Sequence, residues 1–306
     1  MSSPFADALI LTGPTASGKS AVALELAESL DGEIVSLDSM TVYRGMDIGT
    51  AKPSPAERAR VPHHLLDELD PWEAANVAWW LRRATEACAD IRRRGKRPLL
   101  VGGTPFYLKA VLHGLADAPP ADAAVRSRLE VEAETVGHLA FHALLAVDDP
   151  TSAARLHPND VRRTVRAREV FAVSGRPLSS FAPEPVAARV PAVALDWPRD
   201  ELHRRIDARV VGMLADGWPD EVRRLLALPR PPSKEAWQAI GYQELATHLA
   251  GGPSWQETVA LIQAATRQFA KRQATWFRSL PVTSVAPGPG LADRVRAAWA
   301  EAGAEV

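Results

Sequence analysis

A single cysteine, Cys88, is all that 306 residues contain, which rules out an intramolecular disulfide and a cysteine-built metal site. Its place in a helical apolar pattern reads as a small core residue. Long apolar runs are also missing, since none approaches the roughly 20 residues of a membrane span. No basic stretch followed by an apolar one marks the N-terminus, and the first motif starts at Gly13. A cleaved targeting segment is therefore not expected, and a cytoplasmic location is. Net charge is nearly absent as well, at −1, so any nucleic-acid site must be a local patch rather than a global field. What is present, 46% hydrophobic and 24% charged residues, is core material for one large domain or a core carrying an inserted piece.

The stretch that organises the chain is Gly13-Pro14-Thr15-Ala16-Ser17-Gly18-Lys19-Ser20. Its two glycines, with four residues between them and Lys-Ser following, have the spacing of a phosphate-binding loop. Ala8 to Leu11 before it reads as a short buried strand; Val22, Leu26 and Leu30 behind it recur at helical spacing. Strand, loop and helix N-terminus together make a nest of backbone N–H groups aimed at an anion. Lys19 adds a mobile positive charge, and the Ser20 hydroxyl offers a ligand to the Mg²⁺ that accompanies polyphosphates.

Further along, Ile34 to Leu37 reads as a second strand that delivers Asp38 to its carboxyl end. In an open parallel sheet that end borders the ligand crevice, so Asp38 shares a rim with the phosphate loop; a turn-capping aspartate is the alternative. Tyr43 to Pro53 reads as an ordered, glycine-containing loop. His63 and His64, being adjacent, point to different sides and make a poor metal pair, which favours a structural role. Val77, Trp80, Leu81, Ala84, Cys88 and Ile91 mark a long amphipathic helix ending in the basic run at Arg92–Arg94. The third strand, Pro98 to Val101, is followed by Gly102-Gly103-Thr104, where many nucleotide hydrolases carry an acid that holds Mg²⁺ through water. Asp196 follows a later strand, Val193 to Leu195. A phosphate loop without the usual hydrolase partner points to a transferase rather than a motor or switch.

Between about residues 117 and 183 strand-like runs vanish and Ala, Arg and Glu recur at helical spacing. The pattern predicts an α/β fold, a P-loop NTPase-like parallel sheet flanked by helices (1–116 and 184–306), with an all-helical insertion domain at 117–183. Inside the insertion, Asp160 caps a helix running to about Val173, with Gly175 as its stop. Arg155, Arg162, Arg163 and Arg166 concentrate positive charge there, either as a solvated face or as an RNA-binding one. After the fourth strand, Arg205 and Arg209 lie on neighbouring turns of a helix. Gln238 to Gln243 places a glycine and a tyrosine in a helical segment. A helix from Trp255 to Leu280 is expected to bury Val259, Ile262, Phe269 and Trp276 and to expose Arg267, Lys271, Arg272 and Arg278.

These residues carry a resemblance. GPTASGKS at 13–20, DSMTVYRGMDIGTAKP at 38–53, PHHLLD at 62–67, VGGTPFYLKAVLHGL at 101–115, HPNDVRRTVRAREV at 157–170, AIGYQE at 239–244 and TRQFAKRQATWFR at 266–278 together resemble the tRNA dimethylallyltransferases. The likeness covers nearly the whole chain in the right order. It implies transfer of a dimethylallyl group from dimethylallyl diphosphate, with Mg²⁺, to the exocyclic amine of the adenosine just 3′ of the tRNA anticodon. By this resemblance Gly13 and Thr15, Ala16, Ser17, Gly18, Lys19 and Ser20 bind the diphosphate, Ser20 serves the metal, and Asp38, Thr104 and Arg209 are the catalytic candidates. Asp38, Ser39, Met40, Thr41, Thr104, Arg126, Arg162, Arg163, Arg166, Gln238, Gly241, Tyr242 and Gln243 are candidate tRNA contacts, with Arg267 and Lys271 added from the basic helix face. One departure is visible: the family usually has Gln where Arg162 stands and a branched apolar residue where Thr164 stands. A monomer is expected. A small-molecule phosphate-loop kinase using ATP, and an RNA-binding module holding a nucleotide without chemistry, are the competing readings.

Overall fold

The computed structural model describes residues 3–181, 183 and 190–306. Contacts divide the chain into two compact units, one formed by Met1–Leu112 and Val186–Val306, the other by His113–Pro185. The return boundary expected at 183/184 falls at residue 184, outside the described residues.

The first unit is a six-stranded, all-parallel sheet. Its strands are β1 (Leu9–Thr12), β2 (Gly32–Ser36), β3 (His63–His64), β4 (Arg97–Gly102), β5 (Ala192–Leu195) and β6 (Thr283–Val285), in the order β3-β2-β4-β1-β5-β6. β1 is central, with Leu11 paired to Val101 on one side and Val193 on the other. Every residue of β1, β2 and β5 is buried, as parallel strands are when helices cover both faces. One face packs against α3 (Val77–Arg93) and α4 (Pro105–His113) around Trp80, Ile91, Leu100 and Leu108; the other packs against α1 (Lys19–Ser29) and α13 (Leu291–Glu301) around Leu26, Leu99, Val193 and Trp299. The buried indoles do not strand their N–H groups: Trp80 donates to the Ser36 carbonyl at 2.9 Å and Trp299 to that of Ile10 at 2.9 Å. Where β2 and β4 end together the backbones nearly touch. A Cβ on Gly102 would lie 2.0 Å from the Leu37 carbonyl oxygen, so only glycine fits.

A further group of helices packs around Trp218, Tyr43 and Tyr242: α2 (Pro55–Arg60) apart, these are α9 (Arg199–Ala215), α10 (Trp218–Leu226), α11 (Tyr242–Leu249) and α12 (Trp255–Arg278). α12 departs from expectation. Its buried residues are Thr258, Ile262, Ala270, Gln273 and Phe277, whereas Phe269 is half-buried and Trp276 is exposed. The apolar residues of this helix are spread over two faces, and the polar Gln273 is taken inward because it finds hydrogen-bonding partners there.

The second unit holds α5 (Ala123–Val136), α6 (His138–Asp148), α7 (Pro150–Arg155) and α8 (Val161–Ser174). Leu129, Phe141 and Val165 form its centre, extended by Leu145, Ala153 and Ala167. Asp160 caps α8 by accepting the Arg163 N–H at 3.2 Å, and Gly175 ends it with φ of 67°. Among the described residues no helix is long and apolar enough to cross a membrane.

Candidate active site at the phosphate loop

β1 runs straight into the phosphate loop, and α1 starts at Lys19 with Gly18 as its left-handed N-cap. Ala16 also takes a positive φ, 63°, which a non-glycine residue holds only where its surroundings enforce it. Those surroundings are visible. The Ala16 carbonyl accepts from Arg205 Nε at 2.8 Å, the Ser17 carbonyl from Trp197 Nε1 at 2.8 Å, and the Pro14 carbonyl from the Ser17 N–H at 3.2 Å. Arg205 also lies over the Trp197 ring. Two loop carbonyls are held from outside the loop and a third from within it; the Thr15 and Ser17 N–H groups are engaged by Gln273 and Pro14, which leaves the N–H groups toward the start of α1 to face an anion. Ser17 Oγ is buried without a partner, a polar atom with unused capacity inside this cradle.

Lys19, Asp38 and Arg209 converge on the loop. Desolvation pushes the Lys19 ammonium down to about 8, the nearby Arg209 charge adds to the shift, and Asp38 opposes it. Desolvation likewise raises the Asp38 carboxyl above the usual carboxylate range, against the Met40 N–H and the Lys19 charge. Arg209 is lowered by burial, with Asp38 again opposing. Perturbed groups of both signs gathered beside an anion cradle mark a functional site. Asp38 also does what a turn aspartate does, because Oδ1 accepts the Met40 N–H at 2.8 Å. Thr104, at the end of β4, holds the next residue: its Oγ1 accepts the Ser39 N–H at 3.1 Å. Arg209 in addition lines a cavity of about 950 Å³ whose charged wall includes Arg44, Lys52, Arg58 and Asp67.

Other predicted contacts are sorted by the structure. Ser39 and Met40 are partly exposed beside Asp38; Gln238, Gln243 and Lys271 are exposed on the same unit, and Arg162 and Arg163 on the helical unit. Several expectations are corrected. Tyr242 is buried, and so is Thr41, whose hydroxyl pairs with Ser36 Oγ at 2.8 Å, so neither side chain is a surface contact; Gly241 is buried with Tyr242. Arg267 is not part of a free basic face, being paired with Asp207. Arg126 and Arg166 both bind the fully buried Glu169 carboxylate, at 2.7 and 2.8 Å, which holds α5 and α8 together. The basic run after α3 is also engaged: Arg92 pairs with Asp7, and Arg94 with Glu33 and Asp90. His64 bonds Glu33 at 2.6 Å and His63 the Val61 carbonyl at 2.7 Å.

Two residues escaped the sequence reading. Glu221 on α10 is buried, and its carboxylate accepts the N–H groups of Asp47, Ile48 and Gly49 at 2.8, 2.8 and 3.2 Å and the Tyr242 hydroxyl at 2.7 Å. It thereby fixes the loop of residues 43–53 and the glycine-tyrosine segment at once. Gly241 sits with φ of 93° where a Cβ would meet Trp218 at 2.1 Å, which explains that glycine. The signal for Glu221 is an acid three residues after Trp218 and four before Leu225, beside Val222 in an otherwise apolar stripe. The second is Gln273, whose Oε1 accepts the Thr15 N–H at 2.8 Å and whose Nε2 donates to the Gly103 carbonyl at 2.6 Å.

Among the described residues no cluster of three or more His, Cys, Asp or Glu is arranged to hold a metal. Mg²⁺ with a diphosphate needs no such cage, because it keeps several waters and takes one or two protein oxygens plus phosphate oxygens. The exposed Ser20 hydroxyl on the first turn of α1 fits that donor set.

A model of the IPP transferase family matches residues 41–280, and one of isopentenyl transferases matches 6–68. A tRNA dimethylallyltransferase of Geobacter metallireducens is 51% identical over 88% of this chain and 89% of its own length; that of Geobacter sulfurreducens is 48% identical over 94% of each. Among solved structures, the full-length tRNA isopentenylpyrophosphate transferase of Bacillus halodurans is 36% identical with a TM-score of 0.70, covering 97% of this chain and 98% of that one. A eukaryotic dimethylallyltransferase acting on tRNA superposes with a TM-score of 0.75 at 27% identity, over 91% of this chain and 73% of that one.

Proposed function

This chain belongs to the IPP transferase family, and we propose that it moves a dimethylallyl group from dimethylallyl diphosphate to the N6 amine of the adenosine 3′-adjacent to the anticodon in tRNA, releasing diphosphate. It is a transferase, and its relatives weigh against the small-molecule kinase reading. The observation that carries the residue assignment is the convergence of Lys19 and Arg209 with Asp38 at one phosphate loop.

The allylic carbon–oxygen bond breaks as the N6–carbon bond forms, and the leaving diphosphate gains negative charge. Loop N–H groups, Lys19 and Arg209 face that charge from fixed positions in a partly desolvated site, where such contacts count most. Ser20 would hold Mg²⁺, which neutralises diphosphate charge when bound. Adenine's amine is a weak nucleophile, so bringing it to the allylic carbon matters more than basicity. Asp38, with its raised pKa, accepts the amine's hydrogen bond and takes the proton released as the new bond forms. Thr104 keeps the Asp38–Met40 turn in place through Ser39. The base must leave the anticodon-loop stack to reach this centre. Phosphates of the RNA are met by Lys271 on the first unit and, on the helical one, by Arg162 and by the exposed Arg163, whose guanidinium also pairs with Asp160 at 2.6 Å. The enzyme is expected to act as a monomer in the cytoplasm.

The test is incubation with labelled dimethylallyl diphosphate, Mg²⁺ and unmodified tRNA, followed by nucleoside analysis. An isopentenylated adenosine that disappears in Lys19→Ala and Asp38→Ala is expected. No labelled nucleoside, with ATP consumed instead, would overturn the proposal.

A further inference from the structure

The first turn of α4 adjoins the Asp38 turn and presents an aromatic ring to solvent. Thr104 joins the two: its Oγ1 accepts the Ser39 N–H at 3.1 Å, and its carbonyl accepts the Tyr107 and Leu108 N–H groups at 3.1 and 3.2 Å. The core then sets how α4 is rotated. Tyr107 is buried and stacks on Trp80 with ring centres 4.7 Å apart, and Leu108 and Val111 are buried in the same cluster. Burial raises the Tyr107 hydroxyl above its usual range, and the Asp38 charge adds to that shift, which places this turn beside the carboxylate. With Tyr107 and Leu108 turned inward, Phe106 and Lys109 are left on the outer face, three positions apart. Phe106 is 49% exposed, more than any other aromatic side chain among the described residues. A lone exposed apolar side chain is ordinary on a protein surface. This one stands two residues from Thr104, at the rim of a site that an adenine has to enter.

We propose that the Phe106 ring is the stacking surface for a base flanking the target adenosine, with Lys109 meeting a backbone phosphate next to it. An adenine that leaves the anticodon-loop stack uncovers the faces of its neighbours, and that loss of stacking opposes the reaction. Bases of RNA loops are held on aromatic rings, which accept any base because every base has a π-face. A ring followed one turn later by a cation suits a base and its phosphate. The same helix turn that holds Ser39 beside Asp38 would then grip the neighbouring nucleotide, so the flipped adenine and its neighbour are positioned by one rigid piece. Phe106 acts on the RNA and not on the donor. The proposal rests on the reading that the chain prenylates tRNA.

Steady-state transfer from dimethylallyl diphosphate, with Mg²⁺, to an anticodon stem-loop RNA tests this on the full chain. Phe106→Ala should lower kcat/KM for the RNA by about tenfold or more while the KM for dimethylallyl diphosphate stays within about twofold. The urea midpoint should not move, because the ring is half in solvent. Phe106→Trp, which keeps a stacking face, should recover kcat/KM to within about threefold of the parent. Phe106→Leu keeps apolar bulk without a ring; it should behave like alanine, and it carries the test if the alanine variant does not fold. The partner base is found with RNAs that lack the base 5′ or 3′ of the target adenosine. In one of these two the alanine penalty should shrink to within about twofold, the signature of a direct pair in a double-variant cycle. No penalty in the intact RNA, an undiminished penalty in both base-lacking RNAs, or a loss that falls on the KM for dimethylallyl diphosphate overturns the proposal. Unchanged variants of a protein that still prenylates the RNA remove only the role of Phe106. An unsubstituted protein that prenylates no adenosine removes the tRNA reading itself.

Discussion

Replacing Glu221 offers a quantitative check on how the loop of residues 43–53 is held. In Glu221→Ala four hydrogen-bond donors lose their acceptor: three backbone N–H groups at 47–49 and the Tyr242 hydroxyl. Asp47 is exposed and its N–H can turn to water, but Ile48 and Gly49 are half-buried and Tyr242 is fully buried. Three donors at about 1–1.5 kcal/mol each put the loss at about 3–5 kcal/mol. Glu221→Gln should cost much less. Its one carbonyl oxygen can replace Oε2 and keep Asp47 and Ile48, while its NH₂ faces the Tyr242 oxygen, whose hydroxyl rotates to accept. Only the Gly49 N–H, already the longest of the set at 3.2 Å, goes unmet, for about 1–2 kcal/mol. Urea unfolding of the three proteins at pH 7 measures the difference, and amide exchange should speed up across residues 43–53 in the alanine variant but only at Gly49 in the glutamine variant. An alanine variant within about 1 kcal/mol of the parent, or a glutamine variant as damaged as alanine, would refute the argument.

Other expectations follow from the charges around the loop. The Lys19 pKa of about 8 lies below its ordinary 10.5, so the unfolded chain binds more protons between those values and stability rises with pH across that window. Lys19→Met should therefore be more stable than the parent at pH 7, by about 1–3 kcal/mol, with the gain fading toward pH 10, while transfer is lost; a less stable variant at pH 7 contradicts this. Asp38→Asn should lower kcat by about a hundredfold or more and leave tRNA affinity nearly unchanged, and the parent's kcat should rise with pH through a pKa above the usual carboxylate range. Equal losses of turnover and binding would remove Asp38 from the chemistry. Finally, tRNA affinity should fall steeply with salt, with a log–log slope beyond about −2 that is reduced in the Arg162→Ala, Arg163→Ala double variant; a flat response would show that phosphate contacts do not hold the RNA.

The sequence made the phosphate loop legible because its chemistry is local. Two glycines, a lysine and a serine at fixed spacing, between a strand and a helix, describe a backbone shape that needs no distant partner. Asp38 was legible for the same reason, as the residue at a strand end on the ligand side of a parallel sheet. The residues that bridge distant segments were not. Gln273 and Glu221 are polar groups in apolar helical stripes, and periodicity assigns such positions no partner; only folding shows what they meet. Tyr242 looked like a contact because its surroundings were unusual, yet what is unusual is that Trp218 and Glu221 pack against it. Arg126 and Arg166, candidate tRNA contacts by resemblance, are instead taken up by Glu169, a buried anchor between two helices that no local pattern reveals. The short strands β3 and β6, two and three residues long, leave too little pattern to read.

The placement of the helical unit between β4 and β5 has a consequence for biosynthesis. β1 is complete once Thr12 has been made and gains its first neighbour when β4 ends at Gly102, but its other neighbour, β5, starts only at Ala192. About ninety residues must be translated in between, which at ribosomal rates of roughly 5–20 residues per second takes about 5–18 s. Throughout that interval the strand feeding the phosphate loop is an apolar, hydrogen-bonding edge, the kind of surface that recruits other chains. Two further parts of its surroundings come later still: α12 with Gln273, and α13, whose Trp299 bonds Ile10. The loop is synthesised well before its surroundings are finished, so a nascent chain truncated before α12 would carry the motif without its assembled setting.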